Sequence, residues 1–539
     1  VDAGLYQGAA IGDRVWEDTN ANGQQDAGEN GIAGATVRLY TCVDGAPGTL
    51  VATTTTDASG NYAFAGLMPG QYVVAFETPA GYQLSSADVG ADDGLDSDAG
   101  SGGLTGCYTL ASGETNNTVD AGFWRPAAIG DRVWLDANAN GQQDDGEAGV
   151  EGVEVELYTC VDGAPGVKVG ASTFTDAAGN YAFTGLMPGQ YVVKFLTPDG
   201  FSLSPVDVGG DGSDSDAGMG GFTGCYTLTS GQTNNTVDAG LYQGAAIGDR
   251  VWEDTNANGQ QDDGETGIAD ATVRLYTCVD GAPGTLVATT TTDASGNYAF
   301  AGLMPGQYVV AFETPAGYQL SSADVGADDG LDSDAGSGGL TGCYTLASGE
   351  TNNTVDAGFW RPAAIGDRVW LDANANGQQD DGEAGVEGVE VELYTCVDGA
   401  PGVKVGASTF TDAAGNYAFT GLMPGQYVVK FLTPDGFSLS PVDVGGDGSD
   451  SDAGMGGFTG CYTLTSGQTN NTVDAGLYQG AAIGDRVWED TNANGQQDAG
   501  ENGIAGATVR LYTCVNGAPD ALVATTTTDA SGNYAFAGL

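Results

Sequence analysis

The sequence predicts an all-β protein: tandem antiparallel β-sandwich domains in an extended array. Three observations predict it. The hexamer IGDRVW begins at Ile11, Ile129, Ile247, Ile365 and Ile483, always 118 residues apart, which suits one compact domain and is too long for a solenoid unit. Within each repeat, about seven short runs rich in Val, Thr, Tyr and Phe are separated by Gly, Pro, Asn and Asp, the pattern of strands and turns in a sandwich. No segment sustains a 3.6-residue period, and 91 glycines disfavour helices.

In the first repeat the strand runs are IGDRVW (11–16), ATVRLYTC (35–42), LVATTTTD (50–57), NYAFAGL (61–67), QYVVAFETP (71–79), CYTLASG (107–113) and NTVDAGFW (117–124). Val37 and Leu39, Tyr62 and Phe64, and Val74 and Phe76 are core candidates. Each pair is two residues apart and so shares one face of its strand. Trp16 suits the core or a cap at one end of the sandwich.

The repeats come in two forms. Type A, at Ile11, Ile247 and Ile483, reads IGDRVWEDTNANG; type B, at Ile129 and Ile365, reads IGDRVWLDANANG, so the full period is 236 residues. The expected organisation is a closing strand of a preceding unit at 1–8, type A at 9–126, type B at 127–244, type A at 245–362, type B at 363–480 and an incomplete type A unit at 481–539. VDAGLY at 1–6 repeats 237–242, and the chain stops at NYAFAGL. It therefore reads as a window on a longer repetitive protein; strand addition to a neighbouring molecule explains less. The connections AGFWRPAAIGD (121–131) and AGLYQGAAIGD (239–249) leave few free residues, unlike flexible linkers. Pro126 stiffens one of the two junction types, and limited hinge freedom is expected.

The net charge is −58, from 14 Lys and Arg against 72 Asp and Glu. That field repels phosphate backbones, which argues against nucleic acid as a partner, and attracts cations. A solubilising acidic surface is the plainer explanation, yet the acids cluster at two places per repeat. With 41% hydrophobic residues the chain is not a disordered acidic tail. No apolar run approaches the length needed to span a bilayer.

The first acidic cluster is DTNANGQQDAGE at 18–29. Its spacing fits the calcium-loop signature D-x-[DN]-x-[DN]-G-x5-E. A loop wrapped round a hard cation points alternate side chains inward, so oxygen ligands fall at positions one, three and five. Glycine at six permits the sharp turn, the carbonyl of seven joins, nine contributes directly or through water, and glutamate at twelve closes the shell. The candidate ligands are Asp18, Asn20, Asn22, Gln24, Asp26 and Glu29. Their counterparts are Asp136, Asn138, Asn140, Gln142, Asp144 and Glu147, then Asp254, Asn256, Asn258, Gln260, Asp262 and Glu265. The last two sets are Asp372, Asn374, Asn376, Gln378, Asp380 and Glu383, and Asp490, Asn492, Asn494, Gln496, Asp498 and Glu501. The loop lies between strands, without the helix pair of a calcium switch, so a static structural Ca2+ is expected. A metal-free Asn/Gly-rich hairpin is the alternative.

The second cluster is DVGADDGLDSD (88–98, and again at 324–334) or DVGGDGSDSD (207–216 and 443–452). Carboxylates crowded in a glycine-rich loop repel one another unless a cation intervenes. Further calcium is expected here, at Asp92, Asp96 and Asp98 and at Asp328, Asp332 and Asp334 in type A. In type B the candidates are Asp211, Asp214 and Asp216 with Asp447, Asp450 and Asp452. The spacing fits no single template, and a solvated loop is the alternative.

Nine cysteines fall at two positions per repeat: Cys42 and Cys107, Cys160 and Cys225, Cys278 and Cys343, Cys396 and Cys461, with Cys514 left over. Regular pairs suggest disulfides within each repeat, from the end of LYTC to the start of CYTL. Bridges between neighbouring repeats and buried free thiols are the alternatives. The chain contains no histidine, which removes Ser-His-Asp and Cys-His catalysis, and acids in glycine-rich loops lack the shaped cleft of a glycosidase. No enzymatic activity is expected. Asn116-Asn117-Thr118 fits a glycosylation sequon but suits a short polar turn better.

Taken in order, IGDRVWEDTNANGQQDAGENGIAGATVRLY, TTTTDASGNYAFAGLMPGQYVVAFETPAGYQL, DSDAG and TVDAGFW resemble the calcium-binding B domains of serine-aspartate repeat (Sdr) adhesins. Those domains belong with the wider Cna-B-like sandwiches of bacterial surface proteins. The resemblance implies an Ig-like or prealbumin-like sandwich holding several calcium ions and serving as a rigid stalk, with the loop ligands named above. Many Cna-B-like domains carry a lysine–asparagine isopeptide bond. The type A repeats contain no lysine, so that bond is impossible there, and the cysteine pairs stand in its place. The expected function is an extracellular, calcium-stabilised stalk or filament on or outside a microbial cell, whose partners are other copies of the chain or further repeats. The alternative is a surface adhesin or binding module that engages a host ligand, a glycan or another cell.

Overall fold

The computed structural model describes residues 2–539. In the first repeat nine strands form in chain order: β1 (Ala9–Glu17), β2 (Thr36–Val43), β3 (Ala46–Thr55), β4 (Asn61–Leu67), β5 (Gly70–Phe76), β6 (Gln83–Leu84), β7 (Tyr108–Leu110), β8 (Thr115–Asn116) and β9 (Ala121–Trp124). They build two sheets. One has the order β4-β1-β9-β6 with β8 also beside β1, and the other the order β3-β2-β5-β7. Apart from two three-residue 3₁₀ turns, Met219–Gly221 and Met455–Gly457, no helix occurs among the described residues.

Most neighbours are antiparallel, as in β2 against β5. The first and last strands are different: β9 runs parallel to β1, with Val15 opposite Ala121 and Glu17 opposite Phe123. A chain that enters on β1 and leaves on a parallel β9 exits at the end opposite its entrance. Consecutive repeats are therefore joined end to end. Had β9 been antiparallel to β1, the chain would have left where it entered.

The faces between the sheets carry the apolar residues predicted for them. Val37, Leu39 and Val74 are wholly buried, and Tyr62, Phe64 and Phe76 nearly so. Alternation along β4, exposed Ala63 between buried Tyr62 and Phe64, is what a strand with one wet face requires. The Tyr62 ring meets Phe76 edge-on at 5.5 Å, and its hydroxyl donates to the Val119 carbonyl at 2.7 Å, so the polar tip of a buried ring is satisfied. Trp16 is also fully buried. It sits at the neck of the first acidic loop, bridged to Gly31, and lies against Gly122 so closely that a Cβ there would come within 2.9 Å of the indole.

Disulfides join Cys42 to Cys107, Cys160 to Cys225, Cys278 to Cys343 and Cys396 to Cys461, each closing 65 residues of chain with Cα atoms 5.9 Å apart. Each bond ties the end of β2, or its counterpart, to the approach to β7. Cys514 is exposed and free. Type B repeats differ on one edge, where the counterpart of β3 is split into Ala164–Lys168 and Thr173–Phe174. Asn116 Oδ1 accepts the Thr118 N–H at 3.0 Å, the geometry of a polar turn. Among the described residues no helix is long and apolar enough to cross a membrane.

Candidate metal centre

The first acidic loop leaves β1 at Glu17 and is pinned at its base by Asp18 N–H to Phe123 O (2.9 Å) and Glu17 N–H to Asn30 O (2.8 Å). Within the loop, the Asp18 carboxylate is wholly buried and accepts N–H groups from Asn22 (3.1 Å) and Gly23 (2.8 Å). Gly23 takes a positive φ of 78° and presses on the Ser86 carbonyl, which a Cβ would approach to 2.4 Å. Position six thus needs glycine for its conformation and for the space. Asn20 and Asn22 both reach Asp26 Oδ2, at 2.8 and 2.9 Å. Glu29 closes the ring: Oε1 accepts Thr19 N–H at 2.6 Å and Oε2 accepts Asp26 N–H at 3.0 Å. Burial raises the Glu29 pKa above its ordinary value.

Five of the six predicted ligand residues, Asp18, Asn20, Asn22, Asp26 and Glu29, are thereby tied into one hydrogen-bonded loop, with Asn20 and Asn22 donating through Nδ2. Gln24 behaves differently. Its side-chain amide donates to the Val89 carbonyl at 2.8 Å, so only its backbone carbonyl is suited to a metal, as position seven of such a loop requires. The Gly N–H to Asp carboxylate bond recurs at Asp136, Asp254, Asp372 and Asp490, and the Gln side-chain bond at Gln260 and Gln378.

The two acidic clusters are one structure. Gln24 and Asp96 form an antiparallel bridge, Gln25 N–H donates to Leu95 O at 2.6 Å, and Ser97 N–H donates to Gly23 O at 3.0 Å. A cleft of about 250 Å³ opens between the loops, lined by Gln24, Asp26, Gly90 and Asp92 among others. The equivalent bridges join Gln142 to Asp214, Gln260 to Asp332 and Gln378 to Asp450.

Behind the second loop lies a carboxylate cluster in which Asp96 and Asp98 are buried and Asp93 is exposed. Asp93, Asp96 and Asp98 bring oxygens within 4.8 Å of one another, as do Asp329, Asp332 and Asp334. Asp92 stands one residue earlier and accepts the Gly94 N–H at 3.2 Å; Asp328 does the same for Gly330. Among the described residues, type B repeats show no such three-carboxylate group. Their loop is one residue shorter, so Asp211 (and Asp447) replaces a pair of adjacent acids, while Asp214 and Asp216 keep their places beside the first loop.

Two further acids belong here. Asp120 on the approach to β9 is 1% exposed; its Oδ1 accepts Arg14 N–H at 2.9 Å, and its N–H donates to Asp98 Oδ2. Asp98 Oδ1 accepts the Tyr108 hydroxyl. Burial, reinforced by the Asp13 carboxylate, pushes Asp120 up to about 8. Burial and the charges of Asp93 and Asp96 push Asp98 up to about 6, against the hydrogen bonds from Tyr108 and Asp120. Asp96 is raised by burial and by the charges of Asp93, Asp88 and Asp92.

Asp96 Oδ1 and Asp120 Oδ2 are buried without a hydrogen-bond partner; Asp214 and Asp238, Asp332 and Asp356, and Asp474 show the same. Buried acceptors are normally paired, and unpaired carboxylate oxygens are costly. Oxygen-only donors, crowded and unsatisfied, fit a hard divalent cation, and calcium better than magnesium, which prefers to keep its waters. Sequence reasoning passed over Asp93, Asp120 and Asp13. The available signal for Asp120 was a lone aspartate in NTVDAGFW between Val119 and Ala121, both wholly buried, since an unpaired acid is seldom placed there.

The model of the SdrD B-like domain family matches residues 9–123, 127–241, 245–359, 363–477 and 481–539. Serine-aspartate repeat-containing protein D of Staphylococcus aureus is 37% identical over 536 residues, covering 98% of this chain and 37% of that protein. Serine-aspartate repeat-containing protein F of Staphylococcus epidermidis is 39% identical over 448 residues, 81% of this chain and 24% of that protein. The chain thus spans well under half the length of these relatives. Among solved structures, the Bacillus anthracis TIE protein aligns at a TM-score of 0.29 and 12% identity, over 89% of this chain and 76% of that one. With its family model matched in five successive copies, this chain belongs to the SdrD B-like domain family.

Proposed function

We propose that the chain is a calcium-stabilised structural array, a segment of a rigid stalk or filament on or outside a microbial cell. Its units are the 118-residue repeats, with boundaries at 9–126, 127–244, 245–362, 363–480 and from 481 onward. One observation carries the proposal: each of the first four repeats pairs two acidic loops by backbone bonds and buries unsatisfied carboxylate oxygens behind them, at the end where the chain passes to the next repeat. The proposed ions bind at the first loop and, in type A, at Asp93, Asp96 and Asp98 with Asp120 behind them. They cancel carboxylate repulsion and lock the end of the sandwich against its neighbour. The role is mechanical, with no catalysis. The partners are further repeats and other copies of the chain, in an extracellular setting that suits four disulfides.

A second reading, a surface adhesin, draws on the exposed apolar residues of type B repeats. Met219 is wholly exposed, Val167 is 75% exposed and Phe174 is 60% exposed. Small-angle X-ray scattering of the whole chain during chelator titration tests the first reading. The expected result is a long, straight particle that becomes shorter and more flexible as calcium is withdrawn. A profile unchanged by chelator would sink it, and a purified chain that captures a glycan or host surface through type B repeats would favour the second.

A further inference from the structure

We infer that the array bends at every second junction, so that its rigid element is a type A repeat fused to the type B repeat after it. The inference refines the stalk reading and rests on it only for the end-to-end arrangement.

At the junction after the first repeat, the turn at Ser230 and Gly231 of the second reaches back. Ser230 N–H donates to the Thr19 carbonyl at 2.9 Å, inside the first acidic loop, and Gly231 N–H donates to Arg125 O at 2.9 Å. Arg125 N–H donates to Ser230 Oγ at 2.9 Å. At the next junction, Ser348 N–H donates to Ala137 O (2.9 Å), Gly349 N–H to Gln243 O (3.0 Å), and Gln243 N–H to Ser348 Oγ (2.8 Å). These three bonds are common to both junction types.

The rest is not shared. After type A, Glu17 Oε1 gathers three donors: Arg125 Nε at 3.0 Å, Arg125 Nη2 at 2.7 Å and Ser230 Oγ at 2.7 Å. The guanidinium lies 5.5 Å from the centre of the Tyr82 ring. Arg361, Glu253, Ser466 and Tyr318 repeat the arrangement. After type B, Leu135 stands for Glu17, Phe201 for Tyr82, Gln243 for Arg125 and Gly244 for Pro126. The clamp is gone, and the Ser348 hydroxyl has no carboxylate to donate to.

An isolated surface ion pair contributes little. Here, however, one carboxylate with its side chain only 19% exposed takes three donors from two repeats, and charge-assisted bonds of that kind fix orientation. Proline fixes φ at the clamped junction, whereas glycine frees it at the other. Of these contacts the Ser230 Oγ to Glu17 bond crosses the junction, while Arg125 and Tyr82, of the same repeat as Glu17, hold that carboxylate in place for it; its loss, with glycine for proline, loosens the junction after type B.

Electron microscopy of the whole chain in calcium buffer, measuring the bend angle at each junction, tests this. The spread at the junction near Gln243 should exceed that near Arg125 and Arg361 by about twofold or more, as glycine and lost charge dictate. Salt near 1 M, or Arg125→Gln with Arg361→Gln, should widen the clamped junctions and leave the Gln243 junction unchanged. Installing the clamp by Leu135→Glu, Phe201→Tyr and Gln243→Arg should narrow it. Equal spreads at all three junctions overturn the alternation. If all are narrow the stalk reading survives, and if all are broad it falls as well.

Discussion

The loop that starts at Asp18 folds on hydrogen bonds made among its own residues, whereas the loop that starts at Asp88 takes its shape from strands around it. The fifth repeat isolates the first case. Residues 481–539 contain no counterpart of 88–98, yet Gly495 still donates to Asp490, Asn492 and Asn494 still reach Asp498, and Thr491 still donates to Glu501. Burial differs: Asp490 is half-buried where Asp18 is wholly buried. In the second loop, Asp98 is held by Tyr108 of β7 and by the backbone of Asp120, both supplied by other parts of the sandwich. The first loop is closed chiefly by bonds among its own residues; the second adds to its own turn bonds the contacts that β7 and the approach to β9 supply.

Metal removal should reveal this difference most strongly. Chelation should lower the thermal stability of the complete repeats by about 2.7 kcal/mol for each site that had been filled at 100 times its Kd. Calorimetry with and without chelator measures it. Identical melting curves would mean that neither loop holds a structural ion.

Next in size is a reversal of sign. Asp120→Asn, made also at Asp238, Asp356 and Asp474, removes a buried acid with an unpartnered oxygen that must, without metal, either take up a proton or carry an unfavourable charge. In chelator it should stabilise the fold by about 1–3 kcal/mol, and in calcium it should destabilise it. Asp18→Asn should weaken both forms, because that carboxylate accepts two backbone N–H groups in the fold itself. Urea unfolding in the two buffers separates the cases, and a destabilised Asp120→Asn protein in chelator would contradict the electrostatics described here.

The pH dependence of the metal-free protein follows. Asp120 sits near 8 and Asp98 near 6 in the fold, both above the ordinary 3.8. Folding therefore takes up protons. The stability this confers is complete below about 3.8 and is lost as the pH rises through about 6 and then about 8. Lowering the pH from about 8 to about 7 in chelator should raise stability by up to about 1.4 kcal/mol per Asp120-type group. Calcium should reverse the trend, since protonation then displaces the ion. A metal-free protein that weakens over the same interval would refute the assignment.

The smallest contrast lies between neighbours. Asp93→Asn should weaken calcium binding by titration calorimetry, while Asp92→Asn should change stability by no more than about 0.5 kcal/mol, as expected of an exposed side chain with a purely local bond. Equal losses at both positions would show that the cluster is organised differently.

Much of this protein was legible in advance. Period-two pairs placed Tyr62 with Phe64 and Val74 with Phe76 on the core face, because a strand with one wet side must alternate. The turn of the first loop was legible, with glycine at position six and the Asp18 carboxylate accepting backbone N–H groups, because hydrogen bonding within a few residues is a local property. The sequence does not distinguish Asp93 from its neighbour Asp92, since no template fixes the direction of side chains in an irregular glycine-rich loop; the fold groups Asp93 with Asp96 and Asp98. Asp120 and Asp13 were overlooked because they lie far from the second loop in sequence and join it only when β9 pairs with β1.

The sequence by itself determined the repeat length, the two repeat types, the strands with their buried faces, and the turn of the first loop. All of these depend on short-range periodicity or steric rules. Tertiary structure alone decided that β9 runs parallel to β1, that the two acidic loops are bridged, and that Asp96, Asp98 and Asp120 share one buried site. It also decided that Ser230 docks on Thr19 of the preceding repeat. These are pairings across tens to more than 200 residues of chain, and only the packing of the sheets determines which distant groups meet.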